Sequence, residues 1–227
     1  MRYENVRTAR FVRRCNRFLA EVLLDGVLTP VHVKNTGRLR ELLTPDVTVF
    51  LSGSDNPSRK TAWDLFAAEH GGEIVNIDSQ APNRVFAEFL AAGGYLSDLT
   101  RIRPECKWGA SRFDFYLETA TERRFAEVKG VTLRCPDGLF RFPDAPTTRG
   151  AKHLRELAAC LSEGYTAGAV FVVTRRCDSA VAGNEDTDPD FCAALQAASA
   201  AGVSVRAFEC AVTEDSLAIS GEVPVQI

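Results

Sequence analysis

Asp114 and the triplet Glu127-Val128-Lys129 are the residues of this sequence whose types and spacing suit a reaction, the metal-assisted hydrolysis of a phosphodiester. Such chemistry needs hard oxygen ligands, and Mg²⁺ prefers one or two carboxylates, completed by water and phosphate oxygens, to a full protein cage. A cation close by offsets the charge that builds on the phosphoryl oxygens. On a strand, residues i and i+2 share a face, so Glu127 and Lys129 project together while Val128 points into packing. Asp114 falls thirteen residues earlier, on the strand expected to precede them in a hairpin, with Phe113 and Phe115 alternating to the opposite, buried face. In that register Asp114 and Glu127 share one Mg²⁺ or Mn²⁺, and Lys129 orients the attacking water. Spacing alone leaves another reading open. Glu-x-Lys arises about once per 300 residues from ordinary abundances, a second copy stands at Glu105-Cys106-Lys107, and a surface strand whose Glu and Lys pair with neighbours gives the same pattern.

The elements around the triplet add context. A helix expected to start with Thr147 or Thr148 as N-cap carries Leu154, Leu157, Ala158 and Leu161 at the spacing of one apolar face, with Gly164 as its end. Arg149, Lys152 and His153 fall in its first turns, where unpaired N–H groups and the helix dipole favour an anion. They are candidates for holding a phosphate beside the metal, or solvated charges. An earlier helix over 84–92, closed by Gly93-Gly94, brings Glu88, read either as an additional metal ligand or as an exposed helix carboxylate. Strand-like segments near 101–107, 112–118 and 124–133 precede the second helix. A continuous apolar strand over 167–174, a helix over 188–201 and a strand over 203–208 follow it. This order predicts a three-layer α/β domain on a mixed sheet over 81–227.

The first 80 residues have a different texture. Short β-like runs at 6–12, 18–24, 27–33, 47–51, 61–66 and 73–77 are separated by turn signals, among them Asp25-Gly26 and the polar loop Gly53-Ser54-Asp55-Asn56-Pro57-Ser58. Five or six short strands in this length predict a small closed β-barrel of the oligonucleotide-binding (OB) kind. The composition break Asp78-Ser79-Gln80-Ala81-Pro82-Asn83 marks the domain boundary. Residues 1–60 hold eleven Lys and Arg against six Asp and Glu, a net of +5 that leaves −8 for the remainder of a chain at −3 overall. A basic first part suits a polyanion. Arg13, Arg14, Asn16 and Arg17, interleaved with Phe11 and Phe18, and then Lys34, Asn35, Arg38 and Arg40, are candidate phosphate and base-stacking groups.

Composition excludes several classes. With 227 residues and 45% hydrophobic content the chain can bury a core. It has no uncharged apolar stretch of about 18 residues, and its first sixteen residues are too charged for a secretion signal, so a cytoplasmic protein with no membrane partner is expected. The seven scattered cysteines read as reduced packing residues, and three histidines with no paired spacing argue against a zinc site. The nucleophile elbow, the phosphate-binding loop and G-x-G-x-x-G are all missing, which argues against a nucleotide or other small-molecule cofactor.

Taken together, several stretches resemble the sugar fermentation stimulation protein A family: Asn16-Arg17-Phe18, the run from Val31 to Leu39, Arg59-Lys60-Thr61, Ser111-Arg112-Phe113-Asp114, the run from Glu127 to Leu133, the run from Phe142 to Thr147, and Arg149 to Leu154. The resemblance implies an N-terminal OB-type barrel and a C-terminal restriction-endonuclease-like domain of the PD-(D/E)xK class. It implies DNA binding without marked sequence preference and a link to expression of sugar, especially maltose, utilisation genes. The nuclease motif falls on Asp114, Glu127 and Lys129, with Phe113 where the motif's name has proline. The expectation is therefore a DNA-binding protein with a Mg²⁺-dependent phosphodiesterase site. A DNA-binding regulator without turnover is the alternative, and RNA is a third partner that small barrels accept. The oligomeric state is left open.

Overall fold

Alternation of apolar and polar residues builds the first half. In β1 (Val6–Arg14) Ala9 and Phe11 are buried and Arg10 exposed, and in β2 (Leu19–Leu24) Ala20, Val22 and Leu24 are buried, with Glu21 and Leu23 between them. A two-residue turn at Asp25 and Gly26, both at positive φ, returns the chain into β3 (Val27–Val33), the hairpin expected from that dipeptide. β4 (Thr48–Gly53), β5 (Trp63–His70) and β6 (Glu73–Asn76) complete a sheet of order β3-β2-β1-β4-β5-β6, and an added β3–β5 pairing closes β1 to β5 into a barrel. Its interior is filled by Val22, Val31, Val33, Val49, Leu51 and Leu65, among others. The computed structural model describes residues 1–54 and 58–227, so the centre of the expected polar loop, 55–57, lies outside the described residues.

Closure falls on the parallel pairs His32↔Asp64 and Val33↔Leu65. Asp64 accepts from His32 Nδ1 at 2.9 Å and is gripped by both arms of the Arg59 guanidinium. Burial alone pushes the Asp64 carboxyl up, but the Arg59 and His32 hydrogen bonds outweigh it and hold the group below its ordinary range. A depressed carboxyl stabilises the fold above its unfolded pKa and loses that contribution in the acid window below it, as pH falls through the folded pKa. Asp64→Asn is expected to melt lower than the parent at neutral pH and to lose less on acidification across that window. Thermal melts at a series of pH values check this, and an acid response identical to the parent's would refute it.

The second half is layered. The sheet of order β14-β13-β11-β9-β8-β7 takes β7 (Arg101–Trp108), β8 (Ser111–Glu118), β9 (Arg123–Val131), β11 (Thr166–Val173), β13 (Ser204–Val212) and β14 (Leu217–Val223). β7, β8 and β9 form an antiparallel meander, and β11 runs parallel to both β9 and β13. Helix α1 (Ala81–Ala91) packs Phe86 on Phe115 and Phe208, on one face of the sheet. On the other face α2 (Thr148–Cys160) and α3 (Pro189–Ala200) share a core of Leu154, Leu157, Phe113, Phe125, Phe171 and Phe191. β10 (Phe140–Phe142), β12 (Val181–Gly183) and β15 (Val225–Gln226) make a separate small parallel sheet that the sequence reading did not anticipate. The chain divides into two compact units: residues 1–81 with 174–176 and 211–218, and residues 82–173 with 177–210 and 219–227. No helix of the described residues is long and apolar enough to cross a membrane.

Candidate active site

The antiparallel ladder of β8 and β9 runs from Glu118↔Arg123 to Phe115↔Ala126, and the next residues of each strand are Asp114 and Glu127. The strands part there. Asp114 Oδ2 accepts the Val128 backbone N–H at 2.8 Å, so a side chain takes over the donor at the point where the strands separate. The β7 ladder also steps across this level, from Pro104↔Phe115 to Cys106↔Phe113, with Glu105 at positive φ. The strict alternation expected about Asp114 is corrected accordingly. Phe113 packs with Phe125 and against His153 in the α2 layer, whereas Phe115 meets Phe86 of α1 on the other face.

On β9 the expected geometry is present: Glu127 and Lys129 share the face toward α2, and Val128 points away. Lys129 Nζ lies 2.7 Å from Glu127 Oε1, and His153 Nδ1, reaching from α2, bonds to the same oxygen. His153 sits beside the buried Leu154–Leu157 stripe of a helix whose N-cap is Thr147, with its Oγ1 accepting from Gly150 N at 3.0 Å. Arg149 Nε donates to His153 Nε2 at 3.4 Å, which requires a lone pair on Nε2 and assigns the proton to Nδ1, aimed at Glu127. Glu127 Oε2 is buried and has no hydrogen-bond partner among the described residues.

The two carboxyls differ in ionisation. Burial pushes Glu127 up, but the His153 hydrogen bond and the Lys129 charge outweigh it and leave the group below its ordinary range. Burial and the negative charge of Glu127 push Asp114 up, only partly countered by the Val128 N–H, Lys129 and Asn83. A buried carboxylate oxygen without a donor, in a group whose negative charge opposes ionisation of a second carboxyl, is an arrangement that a hard divalent cation relieves. Asp114 and Glu127 are the pair that fits one. The described residues form no group of three or more His, Cys, Asp or Glu suited to a metal.

Glu88 does not join them. It is exposed on α1, five positions beyond Asn83 and so turned about 140° around the helix from it. Asn83 is the α1 residue at the site, donating Nδ2 to Asp114 Oδ1 at 2.8 Å, and the sequence reading missed it. What brings it there is Gly130: a Cβ at that position would stand 2.6 Å from Pro82 Cγ, so the missing side chain lets the first turn of α1 rest on β9. Proline in the first turn of a helix was the available signal. Arg149 and Lys152 are exposed on α2 and, with His153, Lys107, Ala110, Ser111 and Arg112, line a cavity of about 380 Å³.

This chain matches the family described as "Sugar fermentation stimulation protein RE domain" over residues 80–216 and "SfsA N-terminal OB domain" over residues 12–77. It belongs to the sugar fermentation stimulation protein family. Sugar fermentation stimulation protein homologs are 46% identical in Clostridium beijerinckii, over 99% of both chains, and 46% identical in Desulfitobacterium hafniense strain Y51, over 100% of this chain and 99% of that one. The solved structure of Pyrococcus furiosus SfsA in complex with Ca²⁺ aligns with a TM-score of 0.90 at 27% identity, covering 100% of this chain and 98% of that one.

In this member of the family the basic groups of the barrel fall into two sets. Arg17, Arg38 and Arg40 are exposed, and Arg13 is exposed but paired with Glu21 at 2.7 Å. Arg14 and Lys34 are engaged within the barrel unit. The Arg14 guanidinium donates to the backbone carbonyls of Asn16, Arg17, Asn35, Gly37 and Arg38, bracing one loop against the other. Burial lowers its pKa, and the five carbonyls replace the water it gives up. Lys34 Nζ lies 2.7 Å from the fully buried Asp78.

Proposed function

We propose that this protein binds DNA and hydrolyses its phosphodiester bonds in a reaction dependent on Mg²⁺ or Mn²⁺, at Asp114, Glu127 and Lys129. The observation that carries the reading is the unsatisfied, buried Glu127 Oε2, in a group whose charge acts on Asp114 and whose strand face also carries a lysine ammonium. The Pyrococcus furiosus relative was solved with Ca²⁺, an ion that also takes oxygen ligands. Asp114 and Glu127 would hold the divalent ion, which would supply Lewis acidity there. The residues of the chain do the rest. Asn83 and the Val128 N–H fix the Asp114 carboxylate, His153 fixes Glu127, and Lys129 places a positive charge where the phosphoryl oxygens gain negative charge.

Purified protein incubated with labelled single- and double-stranded DNA, with Mg²⁺, with Mn²⁺ and with chelator, tests the reading. Cleavage that appears with metal and vanishes with chelator supports it. Binding without any turnover on either substrate leaves a DNA-binding regulator instead.

Affinity for duplex DNA is expected to fall steeply with salt, since each neutralised phosphate contributes about −0.9 to the slope of log K against log salt. Arg17 and Arg38 are two of the exposed barrel cations suited to this role. The double substitution Arg17→Ala, Arg38→Ala is expected to flatten the slope by about two. A salt titration of binding reads this, and a parent slope near zero would exclude phosphate contacts altogether.

A further inference from the structure

The cavity beside the candidate site is walled by two elements. The end of the β7–β8 hairpin gives Lys107, Ala110, Ser111 and Arg112, and the first turns of α2 give Arg149, Lys152 and His153. The walls are tied together, with Trp108 Nε1 donating to Glu163 Oε2 at 3.0 Å and Ser111 Oγ bonded to Glu156. Four of the seven lining side chains are Lys or Arg, and none is acidic. Lys107 and Arg112 stand directly opposite each other in the ladder, an arrangement that is unfavourable for like charges unless an anion lies between them. The neighbouring acids neutralise only part of this charge. Glu105 pairs with Arg112 at 3.1 Å and Glu156 lies 3.7 Å from Lys152, while Lys107 and Arg149 have no carboxylate in ion-pair contact among the described residues. A phosphomonoester carries about −1.5 to −2 near neutral pH, whereas a phosphodiester within a strand carries one negative charge. Arg149 links the cavity to the carboxylates, because its guanidinium rests on the imidazole that holds Glu127.

We propose that this cavity seats the terminal phosphate of a nucleic-acid strand and so directs the Asp114–Glu127 site to strand ends. The inference rests on the nuclease reading above and adds the substrate class, a phosphorylated end. It is tested by binding with the full chain in chelator, so that no turnover intervenes. Fluorescent oligonucleotides of one sequence carry a 5′-phosphate, a 3′-phosphate or hydroxyls at both ends, and inorganic phosphate serves as competitor. One phosphorylated form is expected to bind about tenfold more tightly than the hydroxyl form, from two or more charge-assisted hydrogen bonds. The identity of that form reports the polarity. Inorganic phosphate should erase the difference, as should Lys107→Ala with Arg112→Ala, two exposed positions that leave the core intact, while affinity for the hydroxyl form persists. Equal affinity for all three oligonucleotides, or a phosphate preference that survives the double substitution, would overturn the proposal and leave the nuclease reading standing. Failure of every oligonucleotide to bind would overturn the nucleic-acid reading and this inference with it.

Discussion

Lys129→Ala is expected to lower the rate of metal-dependent DNA cleavage by about a hundredfold or more, the scale on which removal of one preorganised charge-stabilising donor acts. The Lys129 side chain is 16% exposed and its ammonium sits on Glu127 Oε1, so the charge is held in place before any substrate arrives. Removing it also takes away one of the two groups that keep the buried Glu127 ionised, leaving His153 alone in that task. Both consequences reduce turnover, and neither touches the exposed arginines of the barrel. Single-turnover cleavage should therefore collapse while affinity for DNA in chelator stays within about twofold. Lys129→Arg is expected to restore little, because a planar guanidinium cannot occupy the position that a compact ammonium takes against Glu127 Oε1. Cleavage by Lys129→Ala at the parental rate would remove Lys129 from the reaction, and unchanged melting of the variant would show that the loss is not one of folding.

Asp78→Ala is expected to destabilise the barrel unit by about 3–5 kcal/mol, the usual cost of removing one member of a buried ion pair. The Asp78 side chain is 0% exposed and that of Lys34 17%. Oδ2 takes the Lys34 ammonium at 2.7 Å and the Tyr3 hydroxyl at 3.1 Å, and Oδ1 accepts the Gln80 N–H at 3.0 Å. Alanine takes this acceptor from all three donors, two of them at the buried Oδ2. Because the chain has two tryptophans, Trp63 in β5 and Trp108 in β7, a Trp108→Phe background turns fluorescence into a reporter of the barrel. Denaturant titration of Asp78→Ala in that background measures the loss, and a change below about 1 kcal/mol would show that Lys34 finds water instead.

Asp78 also marks how far the sequence could be read. It stood in a polar stretch taken as a composition break, and the residue proves to be a buried hub because Lys34, more than forty residues away, supplies its partner. Such pairing leaves no local trace. The same cause hid the engagement of Arg14 with the loop over 35–38, and the role of Asn83. Where the signal is local, the reading and the structure agree. Asp25-Gly26 makes its hairpin, Thr147 caps its helix, the third helix starts beside Asp188, and the i, i+2 rule puts Glu127 and Lys129 on one face. β10, β12 and β15 escaped because runs of two or three residues carry no periodicity. The Phe113–Phe115 alternation failed because a strand keeps its period only while it stays in its ladder, and β8 leaves β9 at Asp114.

Gly130 offers a handle on the site that alters no charge. A methyl group there meets the Pro82 ring at 2.6 Å, and a proline ring within a helix has no rotamer to retreat to, so the first turn of α1 must give way. Asn83 rides on that turn and would carry the Asp114 carboxylate out of alignment with Glu127. No charge is added to the protein or taken from it. A single buttress thus separates what draws a polyanion to the surface from what aligns the oxygens beneath it, and the two can be dialled independently.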